Sequence, residues 1–372
     1  MMPSMQDTDR ILADLRELVV RESPSDDADL VTLVAEWGCK RLNRGAISIA
    51  RAVPCPPRGH ALVASVGSDA PGRPSTLLLG HIDTVWPAGT LEEIPFSNDG
   101  TVVRGPGVFD MKAGAAIALN VLDRLRARSS APRVTLLLVP DEEIGSSASS
   151  ALLIDLAKKH DRVLVLEPSA PGGAAKVARK GTGLFRVRFT GVSSHAGLDP
   201  EKGASALRAL AEFVLDAPQF ASVEAGTTVT PTLASAGTKS NVVPENAEVT
   251  IDVRVWASSE AERVDRELRG WRPKDPRVRV DIDGGFDRPP LAESDASRAL
   301  FATAQRIARD LGFELRGERV GGASDGNLTA AAGVPTLDGL GPLGDGAHAR
   351  HEHVLVADLA RRLELIERLV LA

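Results

Sequence analysis

The sequence predicts an α/β protein: a mostly parallel sheet with helices on both faces, interrupted by a smaller α+β domain. Three observations carry this expectation. Short apolar runs of strand length, ALVASVG, STLLLGHIDTV, RVTLLLVP and RVLVLEPS, alternate with helical periodicity over 7–22, 26–42, 111–127 and 146–159. Buried strands alternating with helices build a parallel sheet covered on both sides. After Glu167 the pattern changes to alternating strands, GLFRVRFTG, TTVTPTLASA, NAEVTIDVRV and RVRVDID, with helical stretches only at 202–216 and 258–270. The first pattern then returns with a helix over 295–311, the strand VPTLDGL and a closing helix over 355–371. The predicted division is a discontinuous domain over 1–180 and 289–372 and an inserted domain over 181–288.

Composition narrows the partners. With 372 residues, 43% of them hydrophobic and 25% charged, the chain can bury the cores of two domains. Its net charge of -6 offers no general basic surface to nucleic acid. Cys39 and Cys55 have no metal-type spacing and fit a reducing compartment. Asp7 and Asp9 stand where a secretion signal needs a basic start, and no apolar run approaches the ~18 residues of a membrane-spanning helix. The expectation is a cytoplasmic protein with neither nucleic acid nor membrane as a partner.

The apolar run LLLGHIDTVWP ends in His81 and Asp83, two residues apart and so on one side of a strand. Glu142 and Glu143 follow VTLLLVP, and Glu167 ends RVLVLEP. Ligands of an open α/β sheet collect beyond the carboxyl ends of its strands, so these residues are expected to converge. Asp110 follows a glycine-rich turn in GPGVFDMKAG, and His348 sits in the glycine-rich loop GLGPLGDGAHARHE. That many carboxylates in one cleft repel one another unless cations intervene. Imidazole and carboxylate donors without thiolate suit zinc, with cobalt or manganese possible on the same ligand logic.

Other motifs carry less. The glycine-rich loop before Asp110 lacks the G-K-[ST] ending of a phosphate cradle and opens onto an acid that repels phosphate. GVSSHAG sets Ser194 beside His195, yet it is not the G-x-S-x-G elbow of a serine hydrolase.

Taken together and in order, GHIDTV, GPGVFDMKAG, PDEEIGS, LEPS, SSHAG, KSNVVPENAEVTIDVR and GDGAHARHE resemble the zinc metallopeptidase family that includes bacterial glutamate carboxypeptidase, aminoacylase, acetylornithine deacetylase and succinyl-diaminopimelate desuccinylase. The resemblance covers nearly the whole chain. It implies a catalytic α/β domain holding two zinc ions per subunit, and an inserted lid domain that makes a homodimer contact.

Residue by residue, the resemblance makes His81 a ligand of the first metal and Asp110 the carboxylate that bridges the pair. Glu143 and His348 complete one shell, and Glu167 with His81 the other. Asp83 is then placed to accept the spare N–H of His81, fixing the ligand's tautomer. Glu142 matches the general base, which takes a proton from water and delivers it to the leaving nitrogen. His195 matches a lid histidine that stabilises the tetrahedral oxyanion in the partner subunit's site. Asn241 and Arg288 match groups of glutamate carboxypeptidase that hold the substrate's free α-carboxylate, for which an Arg fork is suited. Lys176 lies one residue off the position of a lysine associated with the glutamate side chain.

The resulting expectation is hydrolysis of an amide next to a free carboxylate, in a small N-acyl amino acid or peptide, with C-terminal glutamate as the favoured leaving group. An aminoacylase or another deacylase of N-acyl amino acids is the alternative within the family. A non-catalytic metal- or ligand-binding relative is the alternative outside it, opposed by the presence of Glu142. A dinuclear phosphoesterase is disfavoured because no cationic phosphate clamp accompanies the acids.

Overall fold

The computed structural model describes residues 5–43, 49–69 and 71–372. The chain divides into two compact units, Met1–Ala178 with Glu293–Val320 and Ser324–Ala372, and Arg179–Ala292 with Gly321–Ala323.

The first unit is built on six strands in the order Ala50–Pro54, His60–Val66, Val134–Val139, Thr76–His81, Arg162–Val165 and Thr336–Leu337. The last four run parallel, and His60–Val66 is antiparallel to both its neighbours. Every residue of Thr76–His81, Val134–Val139 and Arg162–Val165 is buried, which explains why these runs are continuously apolar rather than alternating. Successive side chains divide between two cores. Leu78, Leu136, Leu138 and Leu164 pack on one face, under helices that include Met5–Val19, Ala28–Leu42, Ala113–Arg126 and Val356–Leu371. Leu77, Leu79, Leu137, Val139, Val163 and Val165 pack on the other, against Leu153 and Ala157 of the helix Ser150–Lys158. Each fully buried leucine contributes about 1.5–3 kcal/mol of transfer free energy.

Two helices start later than their periodicity predicts, and both delays shape a turn. The helix expected from 111 begins at Ala113, because Asp110 (φ -112°, ψ 97°) and Met111 (φ -127°, ψ 36°) leave helical geometry. The helix expected from 146 begins at Ser150, after left-handed residues at Gly145 (φ 95°) and Ser146 (φ 53°). A small antiparallel sheet, Gly344–Asp345, His353–Leu355, Val102–Arg104 and Ser97–Asn98, has no counterpart in the expected elements. Its strands are too short to register as periodicity. It joins the chain just before the Asp110 turn to the chain just after His348.

The second unit is a four-stranded antiparallel sheet in the order Thr228–Ala236, Asn246–Val255, Gly181–Thr190 and Arg279–Arg288. Gly181–Thr190 alternates inward and outward residues, as a sheet with one covered face requires. Phe185, Val187, Phe189, Ile251 and Val253 pack with Phe213, Val264, Leu268 and Trp271 into a separate core beneath the helices Ala206–Asp216 and Ser258–Gly270. Ser205 caps the first of these helices, its side chain accepting the Arg208 N–H at 3.2 Å. At the ends of the insertion, Arg179 and Leu291 pair through two reciprocal backbone hydrogen bonds of 3.1 Å. Among the described residues no helix is long and apolar enough to cross a membrane.

Candidate metal centre

The parallel strands bring His81, Glu142, Glu143 and Glu167 to one edge of the first unit's sheet. His81 is in register with Val139, and Leu79 with Val165, so the three chain segments leave the sheet side by side. The Asp110 turn is drawn against them by Gly114, where a Cβ would stand only 2.1 Å from the Leu166 carbonyl oxygen. Only glycine lets the helix Ala113–Arg126 start that close to the residue preceding Glu167.

One carboxylate lies at the centre. Asp110 Oδ1 is 3.3 Å from His81 Nε2, and Asp110 Oδ2 is 3.4 Å from His348 Nε2. Each imidazole nitrogen faces a second acid: Glu167 Oε1 is 3.5 Å from His81 Nε2, and Glu143 Oε2 is 3.0 Å from His348 Nε2. Possible donor atoms of His81, Asp110 and Glu143 lie within 4.8 Å of one another, and so do those of His81, Glu142 and Glu167. The structure thus gathers all five expected metal ligands, with Glu142 beside them.

These acids leave the site short of positive charge, and the imidazoles respond. Burial alone draws His81 down, but contacts with Asp110, Asp83 and Glu167 hold it well above its ordinary value. Hydrogen bonds to Asp110 and Glu143 push His348 up to about 10. Burial works to raise Asp110, yet the two imidazoles hold it far below the usual carboxylate range. Glu143 is raised, chiefly by burial, and its Oε1 is a buried oxygen with no hydrogen-bond partner.

This donor set fits divalent metal. Two ligands each about 2.0–2.1 Å from a tetrahedral zinc stand roughly 3.3 Å apart. The nitrogen–oxygen separations of 3.3, 3.4 and 3.5 Å match that spacing, and the fourth, between Glu143 and His348, is shorter at 3.0 Å. The orphaned Glu143 oxygen is a further donor for a cation. His81, Asp110 and Glu167 would hold one ion, and Asp110, Glu143 and His348 the other.

Asp83 meets His81 through both its main chain and its side chain. His81 Nδ1 lies 3.0 Å from the Asp83 backbone carbonyl and 3.4 Å from its Oδ1, so the main-chain oxygen is the nearer acceptor. The carboxylate also accepts from Ser25 Oγ (2.6 Å) and from the backbone N–H groups of Glu142 (3.1 Å) and Glu143 (3.2 Å). It is fully buried, and these three donors satisfy it.

In the second unit, His195 and Asn241 are neighbours: the Ala196 N–H donates to the Asn241 carbonyl at 3.0 Å, and His195 bridges to Val242. His195 Nδ1 accepts the N–H groups of Gly197 and Leu198, both at 3.1 Å. The neutral ring therefore carries its proton on Nε2. Arg288 is buried at the other end of the same sheet. It pairs with Thr182, whereas Asn246, five residues after Asn241, pairs with Thr190. Eight residues of extended strand span roughly 26 Å at about 3.3 Å each. Within one chain, Asn241 and Arg288 do not converge on one carboxylate. Lys176, in the first unit, is half-buried and pairs through its backbone with Asp338.

Two further residues enter the site unannounced. Lys112 is buried, donates to the Arg21 carbonyl at 3.1 Å, and is pushed down to about 7 by burial, against the nearby charges of Glu352, Glu22 and Asp83. Glu352 is buried beneath the Asp110 turn. Lys112 was detectable as a cation two residues from Asp110 in an apolar context. Glu352, in the charged run HARHE, reads as solvated surface.

The description Peptidase family M20/M25/M40 matches residues 77–372. Carboxypeptidase G2 of Pseudomonas sp. (strain RS-16) is 31% identical over 307 residues, covering 81% of this chain and 74% of the relative. Succinyl-diaminopimelate desuccinylase of Delftia acidovorans is 26% identical over 371 residues, 90% of each chain. Among solved structures, aminopeptidase PepT from Bacillus cereus superposes with a TM-score of 0.79 at 20% identity over 98% of both chains, which supports the shared fold. The chain belongs to peptidase family M20/M25/M40, metal-dependent hydrolases acting on amide bonds.

Proposed function

We propose that the chain is a dinuclear zinc exopeptidase or amidase that cleaves an amide beside a free carboxylate, favouring release of C-terminal glutamate. The observation that carries this reading is the Asp110 carboxylate, whose two oxygens face two imidazoles, each completed by its own glutamate. When bound, a pair of zinc ions supplies Lewis acidity, lowering the pKa of water and polarising the scissile carbonyl.

The chain's own residues do the rest. Glu142 takes the proton from water and returns it to the leaving nitrogen. His195, its proton on Nε2, donates to the developing oxyanion. Arg288 and Asn241 hold the α-carboxylate, the guanidinium by its planar fork. Lys176 is assigned to the side chain of the departing residue.

Because Asn241 and Arg288 sit at opposite ends of one sheet, a complete clamp takes Asn241 from one chain and Arg288 from another. The reading is therefore of a homodimer joined through the inserted unit, residues 181–288, with sites in the discontinuous unit. Leu207, Ala211 and Leu215, exposed along one side of the helix Ala206–Asp216, supply an apolar stripe for that contact. The named activity of the carboxypeptidase relative favours this substrate class. That of the desuccinylase keeps an N-acyl-amino-acid deacylase as the second reading. The setting proposed is the cytoplasm.

The test compares N-acyl-glutamate, its α-amide and N-acetyl-ornithine as substrates of zinc-reconstituted protein and of Arg288→Ala. Preference for the free-acid glutamate substrate is expected in the wild type. Arg288→Ala should lose about tenfold to a hundredfold in kcat/KM, the worth of a charged hydrogen bond of about 1.5–3 kcal/mol. Arg288→Lys should recover only part of it. An unchanged acid-over-amide preference in Arg288→Ala places the clamp elsewhere, and faster cleavage of N-acetyl-ornithine favours the deacylase.

A further inference from the structure

Three chain segments carry the candidate ligands His81, Asp110 and His348, and one buried residue links all three. Glu352 Oε1 accepts the backbone N–H groups of Phe109 (2.8 Å) and Asp110 (2.9 Å). Its Oε2 accepts the Gly107 N–H (2.8 Å) and the indole Nε1–H of Trp86 (2.9 Å), five residues after His81. Glu352 itself stands four residues after His348, its own N–H bonded to the Ala349 carbonyl at 2.9 Å. Immediately beyond it, His353 pairs with Arg104, which leads into the Gly105–Asp110 turn.

This is a large commitment for one carboxylate. Four donors use both oxygens fully, at 2% exposure, and three of the four are main-chain groups of the turn that carries Asp110. Buried charge of this kind is tolerable only with its hydrogen bonds made, so the geometry of the turn and the position of Glu352 are mutually dependent. The His348 side needs such an anchor. His348 has a left-handed backbone (φ 61°) and a side chain about half exposed, so its own packing holds it weakly.

We propose that Glu352 is a positioning residue for the metal pair, fixing the Asp110 turn against the His348 loop and the segment after His81. This inference rests on the dinuclear reading of the site. It assigns Glu352 no contact with metal or substrate. Its effect passes through the main chain of the Asp110 turn, which sets where the shared carboxylate meets each imidazole.

The test is metal binding rather than turnover. Cobalt(II) is titrated into metal-free wild type, Glu352→Gln and Trp86→Phe, with the visible absorption of the bound ion and the dissociation constants as readouts. Circular dichroism and thermal unfolding of the metal-free proteins report folding. In Glu352→Gln an amide NH₂ must face two N–H donors, so about a 10- to 100-fold loss of cobalt affinity is expected, with an altered spectrum, in protein that remains folded. Trp86→Phe removes one donor, leaves the carboxylate in place, and should weaken binding by a smaller factor.

Two cobalt ions bound to wild type, with unchanged affinity and superimposable spectra in Glu352→Gln, overturn the inference and leave the dinuclear reading standing. If Glu352→Gln does not fold, Trp86→Phe decides, and wild-type affinity and spectrum in that variant overturn the inference. A wild type that binds fewer than two ions overturns the dinuclear reading, and the inference falls with it.

Discussion

The Asp83 carboxylate accepts the backbone N–H of Glu142 at 3.1 Å, so a residue two beyond the end of the His81 strand also holds the turn carrying the candidate base. The same carboxylate takes the Glu143 N–H and the Ser25 hydroxyl. Two neighbouring strand ends are thereby fastened to each other before any metal is considered. Asp83→Asn should disturb this more than loss of charge alone, because its amide cannot accept from all three donors. Metal affinity is expected to fall about 10- to 100-fold, the usual effect of removing an outer-sphere partner. Ser25→Ala, which deletes a single donor, should show a smaller loss by the same competition assay against a chelator.

Glu142 and Glu143 are adjacent but face different surroundings, and substitution should separate them. Glu143 is bonded to His348 and has a buried second oxygen, whereas Glu142 lies near His81 and Glu167. Glu142→Gln is expected to keep near-normal metal content while kcat drops by about a hundredfold or more. Glu143→Gln should lose metal. Elemental analysis beside steady-state kinetics decides the assignment, and equal metal loss in the two variants shows that the pair has been assigned wrongly.

Shared sites make a prediction about mixtures. His195→Ala and Glu142→Gln should each be nearly inactive as homodimers. Dissociating and reassociating them together creates mixed dimers in which one of two sites has both residues intact. Recovered activity on mixing supports a site built from two chains, while a stable, fully active monomer excludes one.

A pH effect on stability follows from His160, away from the metal centre. Its Nδ1 lies 2.7 Å from the Leu156 carbonyl and its Nε2 2.9 Å from Thr135 Oγ1, and burial holds the imidazole below its ordinary value of 6.5. A folded-state pKa below the unfolded one means that the unfolded chain binds more protons as pH falls. Stability is unaffected well above 6.5, and is lost as pH drops through 6.5 toward the lower folded value. In metal-free protein, His160→Gln should narrow the difference in unfolding free energy between pH 7.5 and pH 5. An equal difference in both proteins places the acid sensitivity in other groups.

The convergence of His81, Glu143 and Glu167 was legible because they follow long apolar runs whose burial and direction can be read directly. The strand ends converge for reasons of topology that those runs already imply. Glu352 was not legible, since three of its four partners are main-chain N–H groups, which every residue but proline has. Nothing in residue type marks such an acceptor. For Asp83, sequence spacing showed its nearness to His81 and not the arrival of Ser25 and the Glu142 turn. The separation of Asn241 from Arg288 depends on strand register, with Arg288 opposite Thr182 and Asn246 opposite Thr190. Alternation predicts the strands without fixing that pairing.

The reciprocal hydrogen bonds between Arg179 and Leu291 make the whole second unit, topologically, a closed loop hung from two adjoining residues. Such an insertion can be excised without stretching what remains, much as circular permutation succeeds where chain ends lie close. A gene joining Ala178 to Glu293 through a few glycines and serines should yield a folded first unit, since among the described residues its two cores contain none from 179–292. That minimal protein should still take up cobalt while cleaving nothing. Metal capture would then be a property of the first unit by itself, retained where the selectivity carried by the excised stretch is lost.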